Sequence, residues 1–248
     1  MKAASLAVLG VAAYGVFLVA TLPASVIVAK LHRPQAVEVS DVRGTLWRGS
    51  ARARMRLPTG PIDVDTLTWR FAPARLLAAR IAFDVQASGR GFEGRGELAR
   101  GFAGIEARDV QARSEAAILA LAAPILGTWR PQGTVGIAAP NLSWDERELR
   151  GNARAEWRGA TLSLPDPQAL GSYVAELRAE GGPAKLTVST TEGALRLAAE
   201  GSFTPPSRFV LRGEARAEGP AAAALAPLLD LMGPRRADGA RAIDWRTP

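Results

Sequence analysis

Residues 195–217 read LRLAAEGSFTPPSRFVLRGEARA and contain two runs in which apolar or small residues alternate with polar ones. One face of the first run carries Leu195, Leu197, Ala199, Gly201 and Phe203. The matching face of the second run carries Phe209, Leu211, Gly213, Ala215 and Ala217. A period of two is typical of antiparallel strands with one solvent-facing side, and Pro205-Pro206 marks a turn between them.

The same alternation recurs along most of the chain after Pro34, for example in residues 51–57 (ARARMRL) and 153–158 (ARAEWR). Two Ala/Leu-rich segments break it with helical spacing, residues 114–126 and 220–232. In the first, Ser114 is placed as an N-cap. The sequence therefore predicts a mainly β fold, a curved antiparallel sheet with two short helices.

An internal repeat is indicated by these two helical segments, which lie 106 residues apart. Gly127, Arg130, Gly133 and Ile137 then match Gly233, Arg236, Gly239 and Ile243 at the same offset. We expect two similar halves, residues 35–126 and 128–248, each with several strands followed by a short helix. No linker separates them, so one domain of residues 34–248 is expected.

The N-terminal part has a different character. No residue from Ala3 to Ala29 is charged, and this run includes Leu18 and Pro23. As a helix it would span roughly 40 Å, more than the ~30 Å hydrocarbon core of a bilayer. Residues 1–33 are therefore predicted to form a membrane anchor with one transmembrane helix. A signal peptide cleaved near Ala24 or Ala29 is the alternative, although its apolar region would be unusually long.

The orientation of this anchor is not decided by charge. Lys2 precedes the apolar run, while Lys30, His32 and Arg33 follow it. This small difference slightly favours a cytoplasmic C-terminal domain, but long domains are translocated largely regardless of such charges.

Composition excludes several classes of function. The chain has no cysteine and one histidine, so disulfides, thiolate metal sites and a His-based catalytic triad are excluded. The net charge of +7 is spread thinly and no aromatic row is visible, which argues against nucleic-acid binding. We assign no catalytic, cofactor-binding or metal-ligating residue and expect a protein that is not an enzyme.

A recognisable motif lies at residues 42–51, which read VRGTLWRGSA. Its key positions are Gly44, Thr45, Leu46, Trp47 and Gly49, and it follows Leu22-Pro23-Ala24-Ser25 and precedes a Trp-x-Phe strand at residues 69–71. This arrangement resembles the type II secretion system protein N family, and AsmA-like envelope proteins carry similar strands.

The resemblance implies an accessory or scaffold component of type II secretion at the bacterial inner membrane. It implies a single-pass protein with its C-terminal domain in the periplasm, which would give the orientation that charge leaves open. The implied partners are other secretion-system proteins, either the inner-membrane platform or the outer-membrane secretin. No cofactor is implied.

A second hypothesis is an AsmA-like protein that binds or transfers lipid. An apolar concave face could shelter phospholipid chains, and its candidate residues are Leu195, Leu197, Phe203, Phe209 and Leu211. The same residues would equally serve as plain core under the two predicted helices, so both interpretations stay open at this point.

Overall fold

A computed structural model of the chain describes residues 21–26, 37–57, 60–122, 129–145, 147–164, 166–204, 208–219 and 222–246. Its centre is one antiparallel sheet of thirteen strands, each paired with the next along the chain. The predicted mainly β, antiparallel fold is confirmed. Most of the predicted anchor, including Ala3, Leu18 and Ala29, lies outside the described residues. No helix within the described ranges has the length and apolar character needed to cross a membrane.

The strands vary from six to sixteen residues in length. They are β1 (Val37–Gly44), β2 (Arg48–Leu57), β3 (Gly60–Phe71), β4 (Ile81–Gly89), β5 (Phe92–Gly101), β6 (Gly104–Glu115), β7 (Gln132–Trp144), β8 (Leu149–Leu164), β9 (Asp166–Glu180), β10 (Ala184–Glu192), β11 (Leu195–Thr204), β12 (Arg208–Ala217) and β13 (Arg241–Arg246). Because neighbours are antiparallel, the β1–β2, β3–β4, β5–β6 and β7–β8 connections lie at one end of the sheet, here called the GTLW end.

Helical segments occupy three of the connections. A 3-10 helix covers Pro73–Ala78 between β3 and β4. A 3-10 turn at Ala116–Ile118 leads into α1 (Leu119–Ala122), and α2 (Ala222–Met232) joins β12 to β13. The predicted N-cap at Ser114 is wrong, because Ser114 pairs with Val135 in the sheet. The ladder to β7 satisfies the backbone there, so the helical conformation begins only at Ala116.

The two faces of the sheet differ in chemistry, as the period of two predicts. A polar row of cross-strand partners runs through Ser50, Thr68, Gln86, Arg95, Gln111, Ala138, Arg154, Glu176, Thr187, Glu200, Arg212 and Asp244. The next row, on the other face, runs through Ala51, Leu67, Ala87, Gly94, Ala112, Ile137, Ala155, Ala175, Val188, Ala199, Gly213 and Ile243. One residue of slip would exchange the rows, so burial of the apolar face fixes the register.

The largest core cluster lies where α2 covers the apolar face. Leu225, Leu228 and Leu229 of the helix pack on the strands, and each is at most 8 % exposed. Their partners on β8, β9, β11 and β12 are Ala160, Leu162, Leu170, Tyr173, Leu195 and Ala215. The core is therefore concentrated under the second half of the sheet.

Among the described residues, β1 has β2 as its one strand neighbour and β13 has β12. The start of β13 is also covered on its outer side, because Arg235 forms a β-bridge with Arg241 and the Ala242 N–H donates to the Pro234 carbonyl at 3.1 Å. β1 carries an irregularity between Ser40 and Arg43, where Asp41 has a φ of 51°. β13 is short and contains Arg241, Asp244 and Arg246. Bulges, short length and charge are the usual means by which edge strands avoid indiscriminate pairing.

Candidate interaction surfaces

The β1–β2 turn contains the GTLW motif, and its backbone geometry explains the first glycine. Gly44 has a φ of +87°, and a Cβ atom there would lie 2.5 Å from the Arg48 carbonyl oxygen. The Thr45 N–H donates to that same oxygen at 2.9 Å, while the Arg48 N–H donates to Thr45 Oγ1 at 3.3 Å. Residues 44–48 thus form a tight turn that only glycine opens without strain.

Trp69 of β3 closes over this turn. Its indole N–H donates to the carbonyl oxygens of Leu46 at 3.1 Å and Thr45 at 3.3 Å. A Cβ atom at Gly49 would overlap the six-membered ring of Trp69. The second motif glycine therefore makes room for the indole that satisfies two carbonyls of the turn.

An aromatic cluster extends the turn into the sheet. The rings of Trp47 and Phe71 meet edge to face with centroids 4.8 Å apart, and Phe83 follows at 5.6 Å from Phe71. The Phe71 N–H also donates to the Trp47 carbonyl at 2.7 Å. Trp47 and the Trp-x-Phe strand thus belong to one structural unit.

Residues 22–24, in the later part of the apolar N-terminal run, are attached to this unit. The Leu46 N–H donates to the Leu22 carbonyl at 2.9 Å, and Pro23 forms a β-bridge with Thr45. Ala24 is only 2 % exposed. The motif therefore forms a junction that fixes the position of residues 22–24 relative to the sheet. Both stretches stand out in the sequence but their contact does not, because a backbone hydrogen bond leaves no pattern in side-chain chemistry.

The residues assigned to an apolar groove or core do not share one environment. Leu195 is 1 % exposed within the α2 cluster, and Leu197 packs against it. Phe203, Phe209 and Leu211 lie outside that cluster and are half-buried. The Tyr173 hydroxyl donates to the Leu195 carbonyl at 3.0 Å, and burial raises the pKa of this hydroxyl above its ordinary range.

The described cavities lie on the polar face. One hollow of about 720 Å³ is lined by side chains of β3–β8, among them Thr68, Gln86, Arg95, Gln111 and Glu156. A second hollow of about 950 Å³ shares Thr68, Gln86, Arg95 and Gln111 with it. Hydroxyl, amide and charged groups do not match acyl chains, so these hollows do not favour the lipid hypothesis.

Ion pairs on this face give an expected pH dependence. Arg154 Nε donates to Glu156 at 2.8 Å and Arg158 Nε donates at 2.9 Å, and these bonds hold the pKa of Glu156 below its ordinary 4.5. A lowered carboxylate pKa stabilises the fold above the unfolded-state value, and this contribution disappears as the pH falls through the folded-state value. We therefore expect Glu156→Gln to weaken the acid sensitivity of the unfolding midpoint below about pH 4.5.

Thermal unfolding followed across the acid range measures this effect. The matched control is Glu200→Gln, an exposed glutamate of the polar face without an ion pair among the described residues. If Glu156→Gln and the parent chain show the same dependence of the unfolding midpoint on acid pH, the stabilising role of the Glu156 ion pairs is contradicted. The effect is expected to be small because the pair faces solvent.

Comparisons with known proteins agree with the motif. The family model described as type II secretion system (T2SS), protein N matches residues 35–244. A type II secretion system protein N from Pectobacterium carotovorum subsp. carotovorum is 27 % identical over 256 residues, covering 99 % of this chain and 98 % of that protein. No solved structure matches the chain. The family match spans most of the sheet, from before β1 into β13, and the chain belongs to the type II secretion system protein N family.

Proposed function

We propose that the protein is an accessory or scaffold component of the type II secretion system that acts through protein–protein contacts. Membership of the family supports a role in secretion. The observation that carries the contact mechanism is the open sheet, in which β1 and β13 each have one strand neighbour among the described residues. Free backbone N–H and C=O groups along an edge strand pair readily with an added strand.

The two edges offer selective rather than general pairing. The bulge at Asp41 and the charged residues Glu38 and Arg43 interrupt the β1 edge. β13 presents an ion pair between Asp244 and Arg246, in which Arg246 Nε donates at 2.9 Å. A partner strand must match these features, because an unmatched charge at the interface costs free energy. The partners we propose are the inner-membrane platform or the outer-membrane secretin.

We further propose that the N-terminal segment holds the protein at the inner membrane with the sheet in the periplasm. The support is the part of the uncharged run that precedes Leu22, because the stretch that begins at Ala3 still has about the length that a transmembrane helix needs. The periplasmic side rests on the family resemblance. Attachment of residues 22–24 to the GTLW turn would then keep the sheet close to the membrane surface.

The proposal also includes two related halves. Six strands precede the helical segment at 116–122, and six more precede α2. Ile137 and Ile243, matched at the offset of 106 residues, fall in the same apolar row of the sheet. The equivalent place of the two isoleucines in β7 and β13 supports a duplication.

Site-specific crosslinking tests the edge contacts. The chain lacks cysteine, so Glu38→Cys in β1 and Asp244→Cys in β13 each give one site for a benzophenone label. In native membranes we expect at least one of these labels to form a crosslink to another secretion-system protein, because an added strand lies about 5 Å from the edge. Mass spectrometry of the adduct identifies the partner.

The matched control for this experiment is Thr187→Cys. Thr187 is exposed and lies in the same polar row as Asp244, but in β10, which is paired on both sides with β9 and β11. Crosslinks from Thr187 to the same partner at equal yield would show that contact does not occur at the edges. No secretion-system adduct from either edge would count against the scaffold role.

A further inference from the structure

Apolar side chains protrude from the GTLW end of the sheet. Leu77, in the 3-10 helix between β3 and β4, is 96 % exposed, and Phe102, at the tip of the β5–β6 turn, is 98 % exposed. Leu76 in the same 3-10 helix, Ile81 at the start of β4 and Ile105 near the start of β6 are also exposed. Elsewhere in the described part of the chain, comparable residues such as Met55, Ile137 and Leu231 are scattered. A clustered set of exposed apolar tips signals a contact surface.

The protruding tips belong to one continuous surface. The Arg80 guanidinium pairs with Glu106 at 2.7 Å, and a Cβ atom at Gly101 would lie 3.3 Å from Arg80 Cγ, so the two connections are in contact. Successive turns at one end of a sheet lie about 10 Å apart. We call residues 43–48, 72–81 and 100–105 together the loop surface.

The charged residues within the loop surface are arginines, whereas the adjoining β7–β8 turn at the same end carries Asp145 and Glu148. The three segments of the loop surface contain five arginines and no carboxylate. Glu97 and Glu106 neutralise Arg75 and Arg80, at 3.0 Å and 2.7 Å. Arg43, Arg48 and Arg100 are exposed beside the apolar tips. Surfaces on which leucine and phenylalanine are flanked by arginine bind to the headgroup region of an anionic bilayer, because the apolar side chains enter the interface and the arginines contact the anionic headgroups.

The position of the N-terminal segment also indicates that the loop surface lies near a membrane. The apolar run from Ala3 to Ala29 reaches the fold at Leu22–Ala24, which is bonded to the GTLW turn. That turn is itself joined to β3 through Trp47 and Phe71, immediately before the 3-10 helix that carries Leu77. A bilayer holding the N-terminal run would therefore lie beside the loop surface.

We propose that the loop surface contacts the membrane, with Leu77 and Phe102 immersed in the interfacial region and the exposed arginines bound to anionic headgroups. This inference rests on the proposed membrane anchoring and adds a second, peripheral contact to it. Two contacts hold a domain in one orientation, whereas a single helix leaves it free to swivel. The fixed orientation would set the direction in which the edge strands face their partners.

Depth measurement by spin labelling of the full-length chain tests the proposal. Leu77→Cys and Phe102→Cys provide single label sites in a chain without cysteine, and their exposure means that neither substitution removes core packing. The protein is reconstituted in vesicles of phosphatidylcholine with phosphatidylglycerol, or of phosphatidylcholine alone. We expect both labels to be more accessible to oxygen than to a water-soluble nickel complex, and more so in the anionic vesicles.

Two control labels separate the possible failures. Arg90→Cys lies in the β4–β5 turn at the opposite end of the same strands, about 30 Å away, and should stay fully accessible to nickel. Leu18→Cys reports the anchor. One outcome places the Leu18 label in the bilayer while the labels at 77 and 102 are as accessible to nickel as the label at 90. That outcome overturns the contact of the loop surface with the membrane and leaves the anchoring intact. A Leu18 label in water overturns the anchoring itself.

A protein partner for the loop surface is also distinguishable. In that case the labels at 77 and 102 would be accessible in vesicles of either composition and would become shielded only in native membranes that contain the secretion machinery. That result would overturn the bilayer contact. Immersion that is identical with and without phosphatidylglycerol would likewise contradict the assigned role of the arginines.

Discussion

Gly49→Ala is expected to lower the free energy of unfolding by roughly 2–4 kcal/mol, the sum of an overpacking cost and the loss of two partly buried hydrogen bonds. The added methyl would overlap the Trp69 ring and would lie 2.5 Å from the Arg43 carbonyl oxygen. Displacing the indole breaks its bonds to the carbonyls of Thr45 and Leu46. Chemical denaturation of the purified full-length protein measures the change.

Gly136→Ala is the matched control for this substitution. Gly136 also lies in a strand, β7, but a Cβ atom there has no neighbour within 4 Å. Alanine at such a site reduces the entropy of the unfolded chain, so stability should be unchanged or slightly higher. Equal unfolding midpoints for the two glycine variants would refute the steric role of Gly49.

A double-mutant cycle tests whether the overlap with Trp69 causes the loss of stability in Gly49→Ala. With Trp69→Leu as the second substitution, the methyl of Gly49→Ala no longer meets an indole, so its added cost should fall. What remains reports the close approach to the Arg43 carbonyl. The cycle also tests the junction, because the Leu46 N–H that holds Leu22 lies in the turn under the indole.

Much of the sheet could be predicted from the sequence because alternation states directly which side chains share a face. The runs Leu195–Phe203 and Phe209–Ala217 became β11 (Leu195–Thr204) and β12 (Arg208–Ala217). The helical spacing of residues 220–232 likewise gave α2 (Ala222–Met232). In each case the signal is local and comes from burial of one side of one element.

Other features depend on contacts that no local pattern encodes. Alternation does not say which strand pairs with which, so the sequential order of all thirteen strands was open. Ser114 has the chemistry of an N-cap, but its pairing with Val135 keeps it in β6. The GTLW motif could be recognised in the sequence. Its hydrogen bonds to Trp69 and Leu22 could not be, because they depend on the positions of three separate segments.

The loop surface and the sheet edges also depend on contacts that the sequence alone does not reveal. Leucine or phenylalanine in a turn is unusual, yet Leu77 and Phe102 were not singled out from the sequence. Their meaning comes from topology, because alternate turns of a meander meet at the same end of the sheet as the N-terminal segment. The edges are similar, since β1 and β13 become edges only through the order of the strands.

Leu228→Ala is expected to lower the free energy of unfolding by about 2–5 kcal/mol, the usual range for removing a buried leucine side chain. Leu228 is 2 % exposed and packs with Leu225 and Leu229 against the apolar face around Leu195. The packing contact gains importance because Pro227 lacks the N–H for one backbone hydrogen bond of the helix. A cavity there therefore threatens the attachment of α2 to the whole second half of the sheet.

Leu231→Ala provides the control on the same helix. Leu231 is 67 % exposed, so its truncation should change stability by less than about 0.5 kcal/mol. Urea denaturation followed by tryptophan fluorescence suits this comparison, because Trp129 and Trp157 pack against the cluster. Similar losses of stability from both leucine variants would mean that α2 does not pack on the sheet as described. The apolar face around Leu195 would then be available to a ligand. A large loss for Leu228 alone establishes that face as core and removes the physical basis for lipid binding at Leu195 and Leu197.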